Sequence, residues 1–381
     1  MKKVLIGTSA LVAAGFIAAA PATAAEKIKL GLGGFQNTWV GFASQDGGYE
    51  GTNDYGSFDV KSNSEIHFKG SSKLDNGLTV GAHVELESDR DSGGAIDHSY
   101  AYISSADMGT LYLGGTAGAF DRLSVNAPTA AFTGETTGGK EGPRQWIASP
   151  FAVDGSGTAV GAEIINFIHA DAGDTNRITY ISPSFSGFQV GASYVPSTQA
   201  NQNANATKDG ANNATSDEYQ WHASAKYSGN FDGVGLNLSA GYLRQDDDET
   251  AANTDGYKRW RANGTVSYAG FTFGGGYTSI DIDNSTESGL DGNGWNVGLM
   301  YATGPYKISG NYFKSSVKGS ADATDPDDDV YTYYGLNGSY NMGPGVDLKA
   351  SISKVKYEDE TTVATNSNDG WFAAAGLNLS F

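Results

Sequence analysis

The 381-residue sequence has no cysteine, which excludes thiolate chemistry and a disulfide scaffold and suits an oxidising cell envelope. Beyond its first twenty residues no stretch approaches the roughly 18 consecutive apolar residues of a membrane helix, so a helical membrane protein is excluded. Basic residues are scarce: 24 Lys and Arg stand against 43 Asp and Glu, a formal charge of -19, and that sign argues against nucleic acid as a partner. Histidine is scarce as well. None of His67, His83, His98, His169 and His222 has a His-x-x-x-His or other metal-ligand spacing or a nucleophile motif beside it, so each reads as a lumen or loop residue. Nor is there a composition shift or linker, and a chain of this length without one points to a single repetitive architecture. Gly31, Gly33 and Gly34 could suggest a nucleotide loop, but they sit within a strand and no βαβ unit follows.

What is present begins with a secretory leader. Lys2 and Lys3, an apolar run to Ala20 and the small residues from Pro21 to Ala25 read as a signal peptide over residues 1–25. Its removal takes two bases with it and moves the formal charge to -21. At the other end, Trp371, Ala373, Ala375, Leu377, Leu379 and Phe381 share one greasy face of an extended strand, with Phe372, Ala374, Gly376, Asn378 and Ser380 on the other, which reads as small or polar. An apolar strand ending the chain is a poor free edge. Its natural partner is the first mature strand, in which Ile28, Leu30 and Leu32 alternate with small or polar residues; pairing first with last closes a barrel.

Sixteen amphipathic segments of about ten residues can be counted along residues 26–381, divided alternately by short turns and longer polar loops, which is the pattern of an antiparallel transmembrane β-barrel. Asp75, Asn76 and Gly77 supply one tight turn. Tyr227, Tyr242, Tyr268, Tyr301 and Tyr340 sit near segment ends, where amphipathic rings favour the lipid headgroups. The expected strands lie near 27–44, 57–69, 78–87, 97–104, 110–117, 174–182, 187–196, 217–228, 270–281, 293–303, 305–316, 329–341, 344–357 and 368–381, with the ninth centred on Leu238 and the tenth on Ala262. After the fifth comes an exceptional connection, 118–173, with a helix-like patch near Gly161 to His169. Loops of that length are usually functional.

The opening Lys29 to Gly34, the stretch from Asp59 through Glu65 and His67 to Gly70, the turn at Leu74 to Gly81 and the terminal Phe381 resemble the Gram-negative trimeric porins, the alphaproteobacterial ones most of all. The resemblance implies a homotrimer in the outer membrane, bounded by lipid and lipopolysaccharide. It implies a last strand whose Phe381 is the signal read by the barrel assembly machinery, and a loop after strand five that folds inward as a constriction. The Pro-Glu-Phe-Gly motif of some porin loops is missing, since Ser149, Pro150, Phe151 and Ala152 lack the glutamate.

The expected function is a water-filled channel for passive diffusion of small hydrophilic solutes, because sixteen strands leave a lumen too wide for side chains to fill. Arg259 and Arg261, alternating on one strand, are the expected basic residues of the constriction wall, with Lys61 and Arg177 as further candidates. Asp121, Glu135 and Glu141 are the expected acids of the loop. Facing each other, the two sets would create a transverse field. The acidic runs at Asp246 to Glu249 and Asp325 to Asp329 read as solvated loop tips or as sites for a divalent cation such as calcium. A substrate-selective channel, a barrel lipid hydrolase and a secreted β-rich adhesin are the alternatives.

Overall fold

The computed structural model describes residues 27–46, 56–88, 96–132, 142–149, 175–196, 219–246, 256–282, 291–318, 328–358 and 367–381. The leader lies outside the described residues. The strands are β1 (Lys29–Gln45), β2 (Phe58–Lys73), β3 (Thr79–Glu87), β4 (Ile96–Ser105), β5 (Gly109–Gly115), β6 (Asn176–Ile181), β7 (Phe188–Val195) and β8 (Tyr219–Phe231). They continue as β9 (Val234–Asp246), β10 (Tyr257–Tyr268), β11 (Phe271–Ile282), β12 (Gly292–Thr303), β13 (Tyr306–Lys318), β14 (Asp328–Gly343), β15 (Val346–Glu358) and β16 (Asn368–Ser380). Each pairs antiparallel with its sequence neighbour, and β16 returns to β1, giving a closed barrel. The largest boundary difference is in β2, which runs on to Lys73 because Gly70 and Ser71 still pair with Leu30 and Lys29.

Closure runs from Phe35↔Ser380 to Gln45↔Gly370. It is finished by two backbone bonds between Gly34 and Phe381, at 2.9 and 3.1 Å. With every strand paired on both sides the sheet has no free edge, which is what a sheet immersed in lipid requires. The β2–β3 turn shows how local chemistry sets register: Gly77 takes φ 85°, the Asn76 side chain accepts the Leu78 N–H at 3.0 Å, and Leu74 and Leu78 close the hairpin.

Large apolar side chains face outward, among them Leu32 at 70%, Ile352 at 62% and Phe273 at 57% exposure. Buried in water these would be a liability; against acyl chains they are at home. Aromatic rings gather at both ends of this band. Near the short turns Phe271 stacks on Tyr301 with centroids 4.5 Å apart, Tyr306 on Tyr340 at 5.0 Å and Phe188 on Tyr227 at 4.6 Å. Near the long loops Trp260 meets Tyr277 at 5.0 Å, Trp295 meets Tyr312 at 4.7 Å and Phe42 meets Phe58 at 5.0 Å. Trp260 and Tyr268 lie eight positions apart on β10, so at about 3.3 Å per residue and a tilt near 40° the belts stand roughly 20 Å apart, close to a bilayer's apolar thickness.

One expectation about the interior fails. The inward face of β16 was expected to be small or polar, but Phe372 on that face is fully buried in an apolar cluster with Trp39, Phe132, Trp146, Ile147, Phe313, Tyr331, Tyr333, Val355 and Tyr357. Period two assigns a face; it does not say that part of that face is dry.

Candidate pore constriction

What dries it is the connection after β5. Its described parts, 116–132 and 142–149, carry two single helical turns, α1 (Ala119–Arg122) and α2 (Pro143–Trp146), and both lie against the inner wall. An irregular backbone in a barrel must find partners for its N–H and C=O groups, and the wall supplies them. Ser193 on β7, Ser239 on β9 and Ser309 on β13 accept the N–H groups of Ala119, Val125 and Ala130 at 2.7, 2.9 and 2.9 Å. Asn263 on β10 and Asn311 on β13 donate to the carbonyls of Val125 and Pro128 at 2.6 and 2.7 Å. Farther round, Gln45 accepts the Ala148 N–H at 2.8 Å and Asn368 donates to the Ala148 carbonyl at 2.7 Å. Much of the Ser and Asn on the lumen face is therefore docking surface rather than water-lined wall.

Apolar packing fixes the far end. Trp146 stacks on Phe372 with centroids 5.7 Å apart and Phe132 on Trp39 at 4.5 Å. Gly376 permits this, since a Cβ there would lie 2.3 Å from Trp39 Cδ2.

The four expected basic residues occupy four different settings. Arg261, only 3% exposed, donates to the Phe120 carbonyl and to Asp121 Oδ1 at 3.2 Å, and its guanidinium lies 4.1 Å from the Phe120 ring. It is enclosed between wall and loop. Arg259, 7% exposed, donates to Thr278 at 3.3 Å. Arg177, 3% exposed, donates to the Thr175 carbonyl at 3.2 Å and hydroxyl at 3.1 Å, beside Gly118 at the root of the loop. Lys61 pairs with Asp59 at 2.5 Å and stands 5.0 Å from the Trp146 ring. Of the expected loop acids, Asp121 is in place opposite Arg261, whereas Glu135 and Glu141 lie outside the described residues. So do Asp247 to Glu249 and Asp325 to Asp327 of the acidic runs.

Among the described residues the loop docks on the wall from β6 round to β1 and meets β2, β4 and β5 through single side chains, Trp146 beside Lys61 and Arg122 beside Tyr100 and Tyr112. The wall of β2 to β4 carries a cluster the sequence reading dispersed. The Glu85 carboxylate lies 2.8 Å from His83 Nε2, 2.9 Å from His98 Nδ1 and 3.9 Å from His67 Nε2; His67 also meets Glu65 at 2.8 Å. Glu65, Glu87 and Asp97 bring carboxylate oxygens within 4.8 Å of one another. A bulge makes this possible: the β3–β4 register shifts between Val84 and Leu86, and Asp97 and His98 both turn inward. The pairing His67↔Glu85 was legible, because each lies nine residues from Asn76 in the turn; the bulge was not. Arg122, also missed, reaches this wall from the loop, its guanidinium 4.0 Å from the Tyr112 ring and 5.6 Å from Tyr100.

Solved structures with this architecture include an anion-selective porin from Comamonas acidovorans, 16% identical, with a TM-score of 0.60. A mutant porin of Rhodobacter blastica is 18% identical with a TM-score of 0.56, and OmpT of Vibrio cholerae, in a trimer form, is 13% identical with a TM-score of 0.59. Each covers 93% of this chain and is itself covered completely. No curated protein sequence matches the chain. Such identities speak for the fold alone, but the sequence also matches the Gram-negative porin family over residues 7–360. With a lipid-facing closed barrel and a loop laid along its lumen, the chain belongs to the Gram-negative porins, outer-membrane channels for passive diffusion rather than enzymes.

Proposed function

We propose that the channel prefers cations, and that its narrowest passage runs between the inserted loop and the wall formed by β2 to β5. The observation that carries the reading is the unequal placement of charge. Glu65, Glu87 and Asp97 stand together half-buried on the wall of β2 to β4, with Glu85 buried beside them, while Arg259 and Arg261 are buried, the latter against Asp121. A charge enclosed with its counter-charge adds little to the field a passing ion meets; clustered carboxylates beside water add much. Lys69, Lys61 and Arg122 temper that field without cancelling it. The working unit is a homotrimer, in keeping with the trimer form of the Vibrio cholerae protein, and lipopolysaccharide and the assembly machinery are its partners at the rim and at Phe381.

Reversal potentials of the purified protein in planar bilayers under a KCl gradient test this. Cation preference is expected, and Glu65→Gln with Glu87→Gln should reduce it. An anion-selective wild type would sink the reading. Heat-sensitive migration of unboiled protein on a gel reports the trimer.

A further inference from the structure

Three of the five histidines in the chain converge on one carboxylate, each from a different strand. The donor atoms of His67, His83 and Glu85 lie within 4.8 Å of one another, as do those of Glu85, Asp97 and His98. We propose that this cluster is a binding site for one divalent transition-metal ion of the zinc, nickel or copper class, ligated by His67, His83 and Glu85, with His98 holding the other oxygen of Glu85 at 2.9 Å.

The donor set argues for that class. Imidazole nitrogens with a single carboxylate suit borderline ions, whereas calcium and magnesium prefer oxygen alone. The orientation of the rings argues for ligation rather than a hydrogen-bond network. His83 Nδ1 is 2.7 Å from the Tyr100 hydroxyl, which as acceptor would fix the proton on that nitrogen and leave the Nε2 lone pair facing the cluster. His83 Nε2 is buried and makes no hydrogen bond, although Glu85 Oε1 is 2.8 Å away. His67 Nε2, held by Glu65 at 2.8 Å, stands 3.9 Å from Glu85 Oε1, so an ion between the imidazoles of His67 and His83 would have a carboxylate oxygen beside it. His98 faces inward by the same alternation as Tyr100, and the β3–β4 bulge brings Asp97 in beside it, as bulges commonly re-aim side chains at functional sites. The histidine side chains keep between 12% and 20% of their surface accessible, enough for an ion to enter from the lumen.

Occupancy has an electrical consequence that rests on the proposed pore wall: an ion there puts positive charge among the carboxylates and lowers cation preference. Binding itself does not depend on that reading.

The test uses the refolded full chain in detergent. Titration with ZnCl2 in the presence of excess calcium should show saturable binding of one ion per chain, and the Cu2+ form should show nitrogen hyperfine splitting in its electron paramagnetic resonance spectrum. His98→Asn, which removes a partner of the ligating Glu85, should weaken zinc by roughly 10–100-fold, and His83→Asn, which removes a ligand, by at least as much, both checked for folding by heat-sensitive migration. Absence of saturable zinc binding, a copper spectrum without nitrogen, or unchanged affinity in both variants would overturn the site; the first two need no variant to fold. Zinc that binds but leaves the reversal potential unmoved would uphold the site and overturn the pore-wall reading.

Discussion

Arg261 shows how much depends on what lies over a residue. Its guanidinium holds Asp121 at 3.2 Å and the Phe120 carbonyl, and it is almost fully enclosed. Removing one member of such a buried pair strands the other, at a cost of about 3–5 kcal/mol. If the pair is a tether, Arg261→Ser and Asp121→Asn should act alike, each raising single-channel conductance and current noise as the loop loosens, although they change charge in opposite senses. If the pair were instead a selectivity element, the two would shift reversal potential in opposite directions with quiet currents. Bilayer recordings of both variants decide. That Arg259 and Arg261 face inward could be read from alternation on β10; that they are covered could not, because period two carries no information about contacts more than a hundred residues away, such as Arg261 with Phe120. The histidine cluster escaped for a related reason: metal-ligand spacing within one segment is readable, whereas His67, His83 and His98 meet only through strand register and a bulge.

The strands were legible almost completely, since each must alternate between lipid and lumen, and that rule leaves its mark on every segment. The inserted loop was legible as a length and, through the family resemblance alone, as an inward fold; its path along the wall was not. Its course follows from complementarity spread thinly over many strands, a serine here and an asparagine there, ending in the aromatic seat of α2. Trp146 is 5% exposed and packs on Phe372, so Trp146→Ala should cost about 3–5 kcal/mol of local stability. The barrel ladders do not depend on it, and the loss should appear locally. Hydrogen exchange of the peptide covering 142–149 should accelerate while peptides of β10 to β13 keep their protection. Unchanged exchange at Ile147 and Ala148, whose backbone groups lie beside this seat, would show that the polar contacts alone hold the loop.

For the whole molecule the decisive quantity is the field created by 43 acidic against 24 basic residues, gathered in part on the wall of β2 to β4 at Glu65, Glu87 and Asp97 with Glu85 behind them. Such a field reaches into the aqueous lumen only as far as screening permits, about 10 Å at 0.1 M salt and about 3 Å at 1 M. An ion within about 10 Å of these carboxylates feels them in the dilute solution, whereas in the molar one only an ion within about 3 Å does. Cation preference should therefore be strong in dilute KCl and fall steeply toward molar salt, and conductance should rise less than in proportion to concentration at the dilute end, because the wall already concentrates potassium there. Selection by size alone would give neither effect: the permeability ratio would be flat and conductance linear. Replacing Glu65 and Glu87 by Gln should flatten both curves together, since the same carboxylates set both. A salt-independent permeability ratio in the wild-type protein would mean that fixed charge on this wall does not govern permeation.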